Sequence, residues 1–277
     1  MPAPIHRAFH YHANAHALSG RFTRPIQHVI EVQAAISLPT IGGVGSARVD
    51  NFRFNEHVSF KAGYSHVSGS EKERDRKKEP ERGKEPEREI IHTTMATAVV
   101  EGLNILDVVT ADRIVARLSS SYSPDDEESR ILLIGSRFEN LRVAGCRVEV
   151  ELHHELALKL DTFEAAMKEF ASNAEFRKMA EDPFAPGKLP GKIEAHGVIR
   201  CSLVKDIQPA KCPGIVRYGH FGHVLEVPEF GKIHLAEVLF QYGRKTLTML
   251  RLELGSPNGG GMTVVSADSN GRPPSGP

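Results

Sequence analysis

Histidine is the residue type with chemical potential that this chain holds in excess, with 14 copies in 277 residues. In the run FHYHANAHAL, His10, His12 and His16 share one parity, with Asn14 between them. On a β-strand they project from one face, and neighbours two apart lie about 6.6 Å apart along the backbone. Imidazoles at that spacing can converge on one divalent transition metal. His220 and His223, in the turn GHFGH, would supply further ligands from elsewhere in the chain. Against a metal centre, no carboxylate is fixed beside the first three and the spacing matches no metalloenzyme signature. His153-His154-Glu155 does not open an HExxH helix, because no histidine follows at the required position.

The other motifs weaken on inspection. Gly43-Val44-Gly45-Ser46 starts like a dinucleotide fingerprint, but Arg48 replaces the third glycine and an extended segment follows instead of a helix. Asp125, Asp126, Glu127 and Glu128 form an acid cluster without the spaced oxygens and sharp glycine of a calcium loop, so it reads as a solvated turn. The chain has no Trp and only 6% aromatic residues, which removes the usual platform for carbohydrate. With no catalytic constellation, the first expectation is a non-enzymatic structural or interaction domain that meets a protein partner or a second copy of itself. The alternative is a metal-dependent enzyme or metal-binding protein built on the histidine face.

Charge and hydropathy narrow the classes further. Lys+Arg and Asp+Glu are both 35, whereas a nucleic-acid binder carries a basic excess to neutralise phosphates. No apolar run approaches the ~20 residues of a membrane span. The opening MPAPIHRAFHYHANAHALSG lacks the apolar centre of a secretory signal, which predicts a soluble cytoplasmic protein. In that compartment Cys146, Cys201 and Cys212 are expected reduced and largely buried; a Cys201–Cys212 bridge would require export.

The elements that must position these residues read as strands. Arg147, Glu149 and Glu151 alternate with Val148, Val150 and Leu152, giving one charged and one apolar face. The stretch 26–38 alternates in the same way. An internal repeat aligns Val49, Phe52, Phe54, Val58 and Ser59 with Val100, Leu103, Ile105, Val109 and Thr110, which implies a duplicated strand–turn–strand unit. Leu103, Ile105, Phe138 and Leu141 are the predicted core of the central stretch. Residues 71–89 are almost wholly charged and repeat KEPER, so they are expected as a mobile solvated loop. One helix is predicted over residues 161–180, with Asp161 and Glu164 as a capping box and Phe163, Met167, Phe170 and Ala174 as its apolar stripe. Residues 5–255 then form a single β-rich domain, and the Gly-, Ser- and Pro-rich residues 256–277 a flexible tail holding at most a short edge strand at 262–266. The predicted fold class is mainly β, an antiparallel β-sandwich or barrel-like sheet assembly with one inserted α-helix.

VVEGLNILDVVTADRIVARL followed by GSRFENLRVAG resembles the repeated core of the choice-of-anchor P family, bacterial β-rich domains often found on exported proteins. The resemblance covers only the central stretch. It implies a β fold and export and supplies no catalytic residues.

Overall fold

The computed structural model describes residues 9–75, 88–188, 197–209 and 211–272. In chain order its strands begin with β1 (His10–Phe22), β2 (His28–Gln33), β3 (Ile36–Ser37), β4 (Gly43–Phe54) and β5 (Val58–Asp75). They continue with β6 (Arg88–Ile105), β7 (Val109–Tyr122), β8 (Arg130–Leu132), β9 (Arg137–Glu139), β10 (Arg142–Val143), β11 (Cys146–Arg147) and β12 (Glu149–Leu152). Three helices follow: α1 (His154–Lys159), α2 (Phe163–Ser172) and α3 (Ala174–Met179). The last strands are β13 (Val198–Ser202), β14 (Val204–Gln208), β15 (Val216–Tyr218), β16 (Val224–Val227), β17 (Gly231–Gln241), β18 (Arg244–Leu254) and β19 (Gly260–Arg272).

Two antiparallel sheets carry the core. The first runs β15-β16-β17-β18-β19-β1-β2, with β13 on β17 and β3 on β1; the second runs β11-β10-β7-β6-β5-β4, with β8 and β9 on β7. Strands β1 and β19 lie across from β5, β6 and β7, so the sheets face each other as a sandwich and neither closes into a barrel. Such packing buries the facing sides of the central strands. Leu103, Ile105 and Leu141 are buried between the layers, and Phe138 packs on them half-buried. Leu103→Ala should therefore cost about 3 kcal/mol in a urea titration, the range for a truncated core leucine. A cost below about 0.5 kcal/mol, usual for a surface site, would place Leu103 outside the core.

The internal repeat is a pair of matched hairpins, β4–β5 and β6–β7. Their turns share one hydrogen bond at equivalent positions, His57 N to Phe54 O at 3.1 Å and Val108 N to Ile105 O at 3.0 Å. Asn51 and Gly102, also equivalent, both have positive φ (53° and 63°). That conformation suits Asn and Gly, which tolerate it at least cost.

Strand alternation is broken along one line in the first sheet. Ala17 and Leu18, Val264 and Val265, Met249 and Leu250, and Leu235 and Ala236 are each consecutive and both buried. The register across this row is unchanged, with Leu18 opposite Val264, Val264 opposite Leu250 and Leu250 opposite Leu235. Ala236 and Val265 absorb the change with positive φ (49° and 55°), rare for Ala and rarer for a β-branched residue. The inward set thus changes parity on four strands at once. On the outer face residues three apart become neighbours: His16 with Ser19, Thr248 with Arg251, and His234 with Glu237.

Five expectations are corrected. The single helix at 161–180 is two helices, preceded by α1, because Asn173 leaves the helical region and its side chain accepts from Glu175 N and Phe176 N to start α3. The cap of α2 is Thr162, not Asp161. The supposed flexible tail holds β19, which lies between β1 and β18 in the sheet centre; only residues 273–277 of it fall outside the described residues. The charged segment is shortened at both ends, since Glu71–Asp75 pair with Arg88–His92, and residues 76–87 lie outside the described residues. Finally, Cys146 and Cys212 form a disulfide with Cα atoms 6.1 Å apart, and Cys201 is free and buried.

Candidate functional site

The histidines of β1 do not converge. His10 is exposed at the strand start, opposite Arg272. His12 Nε2 lies 2.9 Å from Asn14 Nδ2 and 3.5 Å from an Asp268 carboxylate oxygen. His16, four residues or about 13 Å further along the strand, meets Thr263 Oγ1 at 3.3 Å and Ser19 Oγ at 3.4 Å. Burial lowers its pKa, against the pull of Asp268. The imidazoles of His12 and His16 are occupied by sheet neighbours. Among the described residues no three His, Cys, Asp or Glu side chains stand close enough to hold a metal ion. The strand-face metal centre is not formed, and His220, exposed against the Phe221 ring, does not join one.

His223 leads to a different place. A cavity of about 220 Å³ opens between the outer face of β17–β18 and the segment after α3, lined by Phe184, Arg200, His223, His234, Glu237 and Arg251 among others. The parity change at Ala236 builds it. Without that change Glu237 would point into the sandwich; with it, Glu237 stands beside His234 on the outer face, and Arg251 faces both from β18. Cross-strand pairing sets His234 opposite Arg251. Strand β13 adds Ser202 opposite Glu237, and its hydroxyl donates to Leu235 O at 2.7 Å.

The charges in this cavity are paired among themselves. Arg251 donates through Nε and Nη2 to the two oxygens of Glu237, at 2.5 and 2.9 Å, and through Nη1 to Glu253. Burial opposes the guanidinium charge, but the two carboxylates outweigh it and hold the pKa above its ordinary value. Burial likewise opposes ionisation of Glu237, and Arg251 reverses this and keeps the carboxyl below its usual range. His234 sits between carboxylates, Nδ1 3.6 Å from Glu237 and Nε2 3.3 Å from Glu253. The second approach is close but lacks hydrogen-bond geometry, so Nε2 is a buried nitrogen without a hydrogen-bond partner. Burial and then Arg251 lower the His234 pKa against both glutamates.

His223 packs against Gly219, where an added Cβ would lie 2.3 Å from its ring. Burial drives its pKa down to about 4 despite Glu237. The imidazole is therefore neutral in the folded protein and protonated below pH ~6.5 in the unfolded chain. The unfolded state binds the extra proton, so stability falls as pH drops from about 6.5 and levels off near 4. Denaturant titrations at pH 7 and 4.5 should differ by about 2 kcal/mol more in the parent than in His223→Gln. Equal slopes would mean that His223 is hydrated in the native state.

Sequence reading found His223 through its turn but missed His234, Glu237 and Arg251. Their spacing signals one face only if strand parity changes at Ala236, and no residue type there announces the change.

No curated protein and no solved structure matches this chain. The family described as Domain of unknown function (DUF8256) matches residues 9–185 and 184–241, which take in the second sheet and every strand of the first except β18 and β19, the cavity-lining strands β13 and β17 included. The chain belongs to that family.

Proposed function

We propose that this chain is a non-enzymatic binding domain whose cavity on the outer face of β17 and β18 takes a small polar ligand. The observation that carries this reading is the cavity lined by His234, Glu237 and Arg251, in which His234 holds a buried Nε2 without a hydrogen-bond partner. Such a group costs about 1–3 kcal/mol unless something hydrogen-bonds to it. The surrounding charges favour binding over reaction. Arg251 is committed to two carboxylates, Ser202 hydroxyl is engaged by backbone, and burial pushes the Cys201 thiol up to about 12.

The Cys146–Cys212 bridge adds a reading of location. A structural disulfide of this kind belongs to an oxidising compartment, which agrees with the export implied by the choice-of-anchor P resemblance. The preferred reading is thus an exported interaction domain.

Ligand-observed NMR against neutral polyols, amides and small carboxylates tests the binding claim. Saturable binding should appear for one class and be lost in His234→Ala with the melting temperature nearly kept. Turnover of the bound compound that disappears in Glu237→Gln would replace binding by catalysis.

A further inference from the structure

We propose that the aromatic recess at one end of the sandwich is a second binding site, selective for a planar aromatic ring bearing a hydrogen-bonding substituent. The recess lies between the end of β1, the start of β2 and the β4–β5 turn, and has a volume of about 180 Å³. Its walls are rings from both sheets. Phe22 stacks on Phe54 at 5.6 Å and 19°, and His28 stacks on the same Phe54 at 4.4 Å and 29°. His57 leans on Phe22 at 5.4 Å. The rim is polar, with Arg24, Asn55 and Asn258, and Ile26 stands 66% exposed in the same lining.

Shape and size define the guest. These rings stack on one another, so a flat partner would extend the cluster by stacking offset on an outer ring and meeting another edge-on. A cavity of roughly 150 Å³ admits benzene, so this one admits a single phenol or indole. The apolar walls take the ring, and the rim amides and Arg24 give a polar substituent its hydrogen bonds. A purely aliphatic guest would cover the rings but leave those rim groups unpaired, which costs affinity. The ring can arrive free or on an extended chain, and both sources present the same chemistry.

The absence of Trp from this chain makes the test direct, since indole emission carries no background. The full-length protein is titrated into N-acetyltryptophanamide, and separately into a short extended peptide with one Trp. Saturable anisotropy with blue-shifted emission is expected in the micromolar to low millimolar range. Phe54→Leu removes a ring face and should weaken binding at least tenfold. Ile26→Asp, at an exposed position, tests the same recess should Phe54→Leu lower the melting temperature. The cyclohexyl analogue of the amide should fail to compete. Tighter binding of the peptide by tenfold or more assigns the ring to a partner chain, and equal binding assigns it to a free molecule. The proposal is overturned by a lack of saturation at low millimolar concentration, by parent-like binding in both variants, or by equal competition from the cyclohexyl analogue.

Discussion

Replacing Lys245 with Met is expected to lower the stability of this protein by about 4 kcal/mol. Lys245 is only 2% exposed and sits at the start of β18. Its Nζ donates to Ile131 O at 2.7 Å, to Asp161 O at 2.6 Å and to Leu160 O. An ammonium has three protons for these three carbonyls, whereas a neutral amine has two. Burial pushes the pKa down to about 7, and Asp161 and Glu128 pull it back up; the third carbonyl adds to the case for the charged form. Met fills similar space and donates nothing. Asp161 O keeps its bond from Ile131 N at 2.7 Å, so the loss falls on Ile131 O and Leu160 O. Each buried acceptor left unpaired costs about 1–3 kcal/mol, and the sum sets the expected value. Urea titration at pH 6 should show that drop with an unchanged slope. A loss under 1 kcal/mol would mean that water replaces the ammonium.

The case of Lys245 marks what was legible in the sequence. A lysine at the head of an alternating strand reads as solvent-facing, and its burial depends on a helix end brought in from residues 160–161. The sandwich itself was readable, because period-2 patterns and the duplicated hairpin are local signals. The turn at 54–58 and its copy at 105–109 even repeat their hydrogen bonds. Strand β19 was not readable. Its Gly-, Ser- and Asp-rich composition has the look of a tail, yet Asp268 and Ser269 are buried through specific partners. Asp268 pairs with Arg244 of β18, and Ser269 Oγ meets Thr94 Oγ1 of the opposite sheet at 2.7 Å. Polar residues in a strand interior become stable only when another strand supplies the partner. That supply cannot be seen from one segment.

The same reason explains why the metal reading failed and the cavity was missed. His10, His12 and His16 do share a strand and a spacing, but a rigid strand holds them apart and the neighbours Asp268 and Thr263 claim two of the rings. The cavity residues are non-local, from β13, β17, β18, the turn before β16 and the segment after α3. They meet because four strands change parity along one row, two of them through positive φ at Ala236 and Val265. Backbone strain of this kind costs of order 1–3 kcal/mol and persists where packing over-determines it.

Removing the Cys146–Cys212 bridge is expected to cost about 4 kcal/mol, the chain-entropy value for a closed loop of its size. The bridge joins residues 66 apart in sequence, and its loop holds all three helices and β12 to β14. Released, that loop would gain freedom mainly in the unfolded state, so the folded contacts need not change. The Cys146→Ser/Cys212→Ser protein should keep its circular dichroism spectrum and melt far earlier. The parent in dithiothreitol should match it. Thiol counting gives an independent reading. Cys201 is buried, and burial with Glu237 nearby raises its pKa to about 12, so the native protein should react with no disulfide reagent at neutral pH. Denatured without reductant, it should show one thiol; with reductant, three. Three thiols in the unreduced denatured protein would sink the bridge and restore the reduced cysteines expected from the sequence. One thiol would place the chain where disulfides persist, which is the condition an exported domain has to meet.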